Sequence, residues 1–184
     1  MFGIFRRSAA LVLSTTLITA GSLGAADGYR GQLWGSSPES VEKGSASDFG
    51  VEGRRVGDAL LYRSTFQGQD AVYKYIFRQD SLVMVAITSD LPWDLSSANA
   101  FRDHFEKSEK AVDRLLEGLR SKYGQEETAE RSGTDSYMLW RNGATDIELI
   151  VRRAANYQLI LSYSWAEYFK RLEAMKVQNA LDEL

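Results

Sequence analysis

The 184-residue chain contains no cysteine, one histidine and two prolines. Without cysteine there is no disulfide framework, thiolate zinc site, cysteine nucleophile or lipid-modified cysteine. A single histidine, His104, excludes a multi-histidine metal centre and leaves any Ser-His-Asp relay only one residue to use. Basic residues are not in excess: 22 Lys and Arg stand against 25 Asp and Glu. Phosphate neutralisation needs a basic surface, so nucleic acid is not expected as a partner. No nucleophile elbow, calcium-loop spacing, phosphate-cradling glycine loop or dinucleotide fingerprint occurs, and no cofactor or metal is expected. With 44% apolar and 26% charged residues, the composition is that of a globular domain.

The first 26 residues have the three parts of a secretory signal peptide. Met1–Arg7 carries Arg6 and Arg7 and no acid, residues 8–23 are uncharged and centred on Leu11-Val12-Leu13 and Leu17-Ile18, and Gly24-Ala25-Ala26 supplies small residues before Asp27. The uncharged stretch is short for a membrane span and diluted by Ser14, Thr15, Thr16 and Thr19. Cleavage after Ala26 is expected, with no stable span afterwards. It leaves 158 residues bearing 20 basic and 25 acidic side chains. Export without cysteine suits a bacterial periplasm better than a eukaryotic secretory lumen. The expected organisation is a signal peptide over residues 1–26 and one domain over 27–184.

The remaining chain reads as two copies of one plan. Ser36 with Glu39 forms a capping-box pattern, and Pro38 opens a short helix to about Lys43, halted by Gly44. Three strand-like runs follow at 59–66, 71–78 and 82–88. A long helix spans Ala98 to Tyr123, with Phe101, Phe105, Val112, Leu115, Leu116, Leu119 and Tyr123 in a stripe at helical spacing and Gly124 as its cap. Three more runs occupy 136–140, 145–152 and 157–163, the first two joined through Asn142-Gly143. A last helix begins at Ser164, with Glu167 as its capping partner, and runs towards Leu181. Hairpin-length links demand antiparallel pairing. The expected fold is α+β: a single antiparallel sheet of about six strands with helices on one face, in the order α-βββ-α-βββ-α, a pattern consistent with internal duplication.

The opening Tyr29-x-Gly31-x-x-Trp34-Gly35-Ser36 with Val41 resembles the start of a loose group of mostly uncharacterised exported bacterial proteins. Tyr123-Gly124 at a helix end and Trp140-x-Asn142-Gly143 at a hairpin are similar to that group as well. More distantly, the helix-plus-strands repeat resembles β-lactamase-inhibitor-like modules of envelope assembly proteins. The resemblance implies fold and compartment and carries over no catalytic residue. Tyr29 stands where the group more often has Phe.

Few residues invite a chemical role. His104 falls on the boundary of the long helix's apolar stripe and suits a partly exposed helix position better than general-base work. Asp48, Asp90 and Asp94, placed in loops, are the carboxylates best able to converge for hydrolysis, though spacing does not show that they do. Aromatic residues are the stronger signal. Trp93 lies in the link before the long helix, where it serves either as a binding anchor or as a staple for the helix start. Tyr73, Tyr75 and Phe77 share one face of a strand, and Tyr157 and Tyr163 share one face of another. Alternation leaves open whether that face is exposed for binding or covered by helices. Trp34, Trp140 and Trp165 read as core. Trp165, Phe169, Leu172 and Met175 form a helical stripe that can pack on the sheet or reach a second subunit. The expected function is non-enzymatic: an exported binding or envelope-assembly module whose partner is another envelope protein. The alternatives are a carrier holding a small molecule or lipid between sheet and helices, and, with least support, a hydrolase using loop carboxylates.

Overall fold

The structure is a computed structural model that describes residues 28–91, 96–153 and 157–182. The expected signal peptide, Trp93 and Asp94 lie outside the described residues. A small hairpin of β1 (Gly28–Tyr29) and β2 (Gln32–Leu33) precedes α1 (Pro38–Phe49). Four strands follow: β3 (Arg54–Val56), β4 (Ala59–Phe66), β5 (Gln69–Arg78) and β6 (Ser81–Leu91). Then α2 (Ala98–Tyr123) leads into β7 (Thr128–Ser132), β8 (Asp135–Asn142), β9 (Thr145–Arg152) and β10 (Tyr157–Trp165), and α3 (Ala166–Asp182) ends the described chain.

The eight long-sheet strands form one antiparallel sheet in the order β3-β4-β5-β6-β10-β9-β8-β7. From either edge inward, strands of one half run in chain order to the junction, where β6 pairs with β10. The content is thus α+β with an antiparallel sheet, but eight strands replace the expected six. The two additional strands are its edges. β3 is exposed at all three residues and β7 at four of five, so neither carries the apolar alternation by which a half-buried strand is recognised.

Two lateral rows define the covered face. Tyr62, Tyr73, Ile87, Leu161, Leu149 and Met138 are paired neighbours across the six central strands. Leu60, Tyr75, Val85, Tyr163, Ile147 and Trp140 form the next row. Apart from the half-buried Tyr163, all are buried. On the first half α1 seats Phe49 against Tyr62 and Tyr73, with ring centroids 4.6 and 4.9 Å apart. On the second half α2 packs Val112, Leu115 and Leu119 into the core and sets Phe105 edge-on to Tyr157.

Several local expectations shift. The N-cap of α1 is Ser37, whose Oγ accepts from the Ser40 backbone N–H, rather than Ser36. The helix passes through Gly44 and ends at Gly50, which takes the left-handed conformation at φ 65°. It continues because Val41, Ser45 and Phe49, four residues apart, keep one face on the sheet. The β8–β9 turn centres on Gly143-Ala144 and not on Asn142-Gly143, since Asn142 pairs with Thr145 and Gly143 alone supplies the positive φ that a two-residue turn of this kind requires. The helices also do not share one face. Phe169, Lys170 and Glu173 of α3 line a recess with Met84, Leu139 and Glu148, which project from the side opposite α1 and α2. No helix among the described residues is long and apolar enough to cross a membrane.

Candidate binding crevice

Between α1 and α2, above the β6–β10 junction, the covered face is closed by the chain leading into α1. Tyr29 is buried there, its ring 4.8 Å from that of Tyr163 and 6.3 Å, edge-on, from that of Tyr75. The segment is tied down further along. Trp34 Nε1 donates to Thr145 Oγ1 at 2.8 Å. Gly35 N–H donates to the Leu82 carbonyl, and Leu82 N–H donates to that of Ser36, both at 2.9 Å. A bulge in β6, where the register against β5 shifts between Ile76 and Phe77, adjoins Leu82 at this exchange.

Beside Tyr29 this packing leaves a crevice of about 600 Å³, within the range of small-molecule sites. Its floor is Phe66, Ile87, Ile147 and Tyr163. The β1–β2 hairpin forms one wall, and the end of α2, at Lys122 and Tyr123, forms another. Asn142 and Thr145 at the β8–β9 turn complete it. Arg30 and Lys122 both line the crevice, and among the described residues no Asp or Glu does.

Arg30 is held in a particular way. With Gly31 it forms the two-residue turn of the hairpin, at φ 48° and 76°. A positive φ at both positions is a type I′ turn, which favours Asn or Gly first, and a bulky side chain there carries backbone strain. The guanidinium carbon lies 5.4, 5.6 and 5.8 Å from the ring centroids of Tyr73, Tyr29 and Phe49. Lys122 Nζ lies 4.9 Å from the Tyr123 ring centroid. Among the described residues neither cation joins an ion pair. Burial raises the Tyr29 and Tyr163 phenols above their ordinary range, Tyr123 adding to the effect at Tyr163, so both stay neutral donors at physiological pH.

The residues singled out in the sequence are dispersed. Tyr73, Tyr75 and Phe77 are 2%, 0% and 4% exposed and belong to the helix-covered core, so they form no open aromatic surface. Tyr157 is buried and Tyr163 floors the crevice. Trp140 is buried, while Trp34 and Trp165 are half-buried. His104 is half-buried on α2. Asp48 sits in the last turns of α1 and Asp90 in β6, where it accepts from Gln158 on β10, so neither is a loop residue. Among the described residues no three His, Asp or Glu side chains are grouped to hold a metal. Arg30 and Lys122 escaped notice because sequence does not show distant segments converging. The available signal was Arg30-Gly31 itself, a two-residue hairpin link with an arginine where Asn is favoured.

Two charged clusters brace the second half. Arg120 in the last turn of α2 makes a bidentate pair with Glu126 at 2.6 and 2.9 Å. These hydrogen bonds hold the Glu126 carboxyl, whose side chain is only 4% exposed, at a pKa of about 2. Arg153 pairs with Glu109 at 2.6 Å, and the Tyr157 hydroxyl donates to the same carboxylate at 2.9 Å. Burial pushes the Glu109 carboxyl up, but the hydrogen bonds from Arg153 and Tyr157 outweigh it and hold the group below its ordinary value. A carboxyl depressed in the folded state stabilises above its unfolded pKa and loses that contribution as pH falls through the folded one. Stability is therefore expected to decline from about pH 4.5 towards 2. Because Arg120 is itself 44% exposed, Glu126 is expected to account for only about 1–2 kcal/mol. Urea midpoints measured across this range check it: Glu126→Gln flattens the acid slope if the account holds.

In class this is an antiparallel α+β protein with an aromatic crevice, lined by Arg30 and Lys122, where its two halves meet. Family models, curated proteins and solved structures were each compared with the chain, and none matches.

Proposed function

We propose that the protein is an exported, non-enzymatic binding module that holds a small molecule in the crevice between the sheet and its helices. The carrier alternative is favoured here over the first expectation of assembly with an envelope protein, because Tyr73, Tyr75 and Phe77 are spent on the core. One observation carries the reading: a cavity of about 600 Å³ with an aromatic and aliphatic floor and a few polar side chains at its walls. Among the described residues lining it there is no histidine, carboxylate or serine, and the Thr145 hydroxyl is engaged by Trp34 Nε1. Export to a bacterial periplasm rests on the signal-peptide pattern of residues 1–26 and on the resemblance of the Tyr29–Ser36 opening to exported proteins. The matching order of helix and four strands in each half supports duplication as the origin of the junction.

A ligand that binds only the folded chain stabilises it. The small-molecule extract of the envelope of cells that make the protein is expected to raise its Tm by about 5–10 °C at a hundredfold excess over Kd. Asn142→Trp, on the crevice wall, is expected to abolish that rise. A Tm unmoved by every fraction of the extract contradicts the proposal.

A further inference from the structure

Resting on that reading, we infer that the crevice takes an organic monoanion with an apolar or aromatic body, its acidic head between Arg30 and Lys122 and its body on Phe66, Ile87, Ile147 and Tyr163. Charge complementarity identifies the occupant. Among the described residues two cations, Arg30 and Lys122, line the crevice and no carboxylate does, in a chain with three more acidic than basic side chains. A neutral ligand leaves that field unused, and a cation is repelled by it.

The hairpin fixes where Arg30 sits, at φ 48°, a left-handed turn conformation that Gln67, Gln79 and Asp80 also take. Here the turn holds the Arg30 guanidinium on Tyr29, Phe49 and Tyr73 beside the cavity. A planar guanidinium braced by rings gives up little freedom when it grips a carboxylate through two N–H bonds. The apolar floor asks for a hydrocarbon or aromatic body, whose burial supplies most of the affinity. A carboxylate with a chain of about ten carbons matches both requirements.

The test is calorimetric titration of the purified protein with decanoate, decanol and decyltrimethylammonium. Decanoate is expected to bind at least tenfold more tightly than decanol, and the cation not to bind. Arg30→Asn and Lys122→Gln are each expected to weaken decanoate about tenfold and to weaken decanol by much less. Arg30→Asn creates Asn-Gly, the sequence that suits this turn best, so the hairpin stays formed while the charge is lost. Decanol binding as tightly as decanoate, or decanoate indifferent to both substitutions, overturns the anion inference and leaves the crevice reading standing. If none of the three binds while an envelope-extract component raises the Tm in a manner sensitive to Asn142→Trp, the ligand is of another class and the inference is overturned. If none binds and no extract acts, both fall.

Discussion

Trp140→Ala is expected to lower the free energy of unfolding by about 3–5 kcal/mol, the largest loss for any single side chain outside the crevice. Trp140 is 1% exposed, sits in a core row beside Ile147 on β9, and donates from Nε1 to the Gly124 carbonyl at 3.0 Å. It therefore fastens the end of α2 to the sheet as well as filling the core. The two roles separate experimentally. Trp140→Phe retains most of the ring volume but leaves a helix-end carbonyl without its donor, and is expected to cost about 1–3 kcal/mol. Urea unfolding followed by circular dichroism measures both. Equal losses for the two variants contradict the split between packing and hydrogen bonding.

Arg153→Ala is expected to cost about 2–3 kcal/mol, somewhat below the cost of breaking a fully buried pair because Glu109 keeps partial contact with water. The Arg153 side chain is 15% exposed and that of Glu109 31%. Removing the arginine strips the Glu109 carboxylate of its pair and leaves the Ser136 Oγ and the Thr134 carbonyl without their donor. The double substitution Arg153→Met with Glu109→Leu is expected to recover much of the loss, because it leaves no uncompensated charge. Unfolding midpoints of the single and double variants at pH 7 decide it. A double variant as unstable as the sum of the two single ones shows that the charges are not coupled.

How far the sequence could be read depended on whether each element carries its own signal. The span of α2 is legible, because a seven-residue apolar stripe marks its face and Gly124 its end; its N-cap, Ser97, is visible only in the structure. β4 and β9 are equally legible, the latter from strict alternation of buried and half-buried positions. The edge strands β3 and β7 are not, since nothing covers them and polar residues there are read as loop. Gly44 is misleading for α1: a glycine looks like a stop, yet the helix continues because its buried face does. The tyrosines illustrate a deeper limit. Alternation groups Tyr73, Tyr75 and Phe77 on one face, but only tertiary packing says that α1 lies over it. The crevice is less legible still, because its floor comes from four strands and its two cations from a hairpin tip and a helix end.

The central claim is an exported chain carrying a small molecule, and native mass spectrometry of the protein isolated gently from cells tests both halves together. The account predicts a polypeptide beginning at Asp27, with an added mass that is lost on denaturation and is absent from Asn142→Trp. A chain that retains residues 1–26, or a bare polypeptide under conditions that preserve non-covalent complexes, contradicts it.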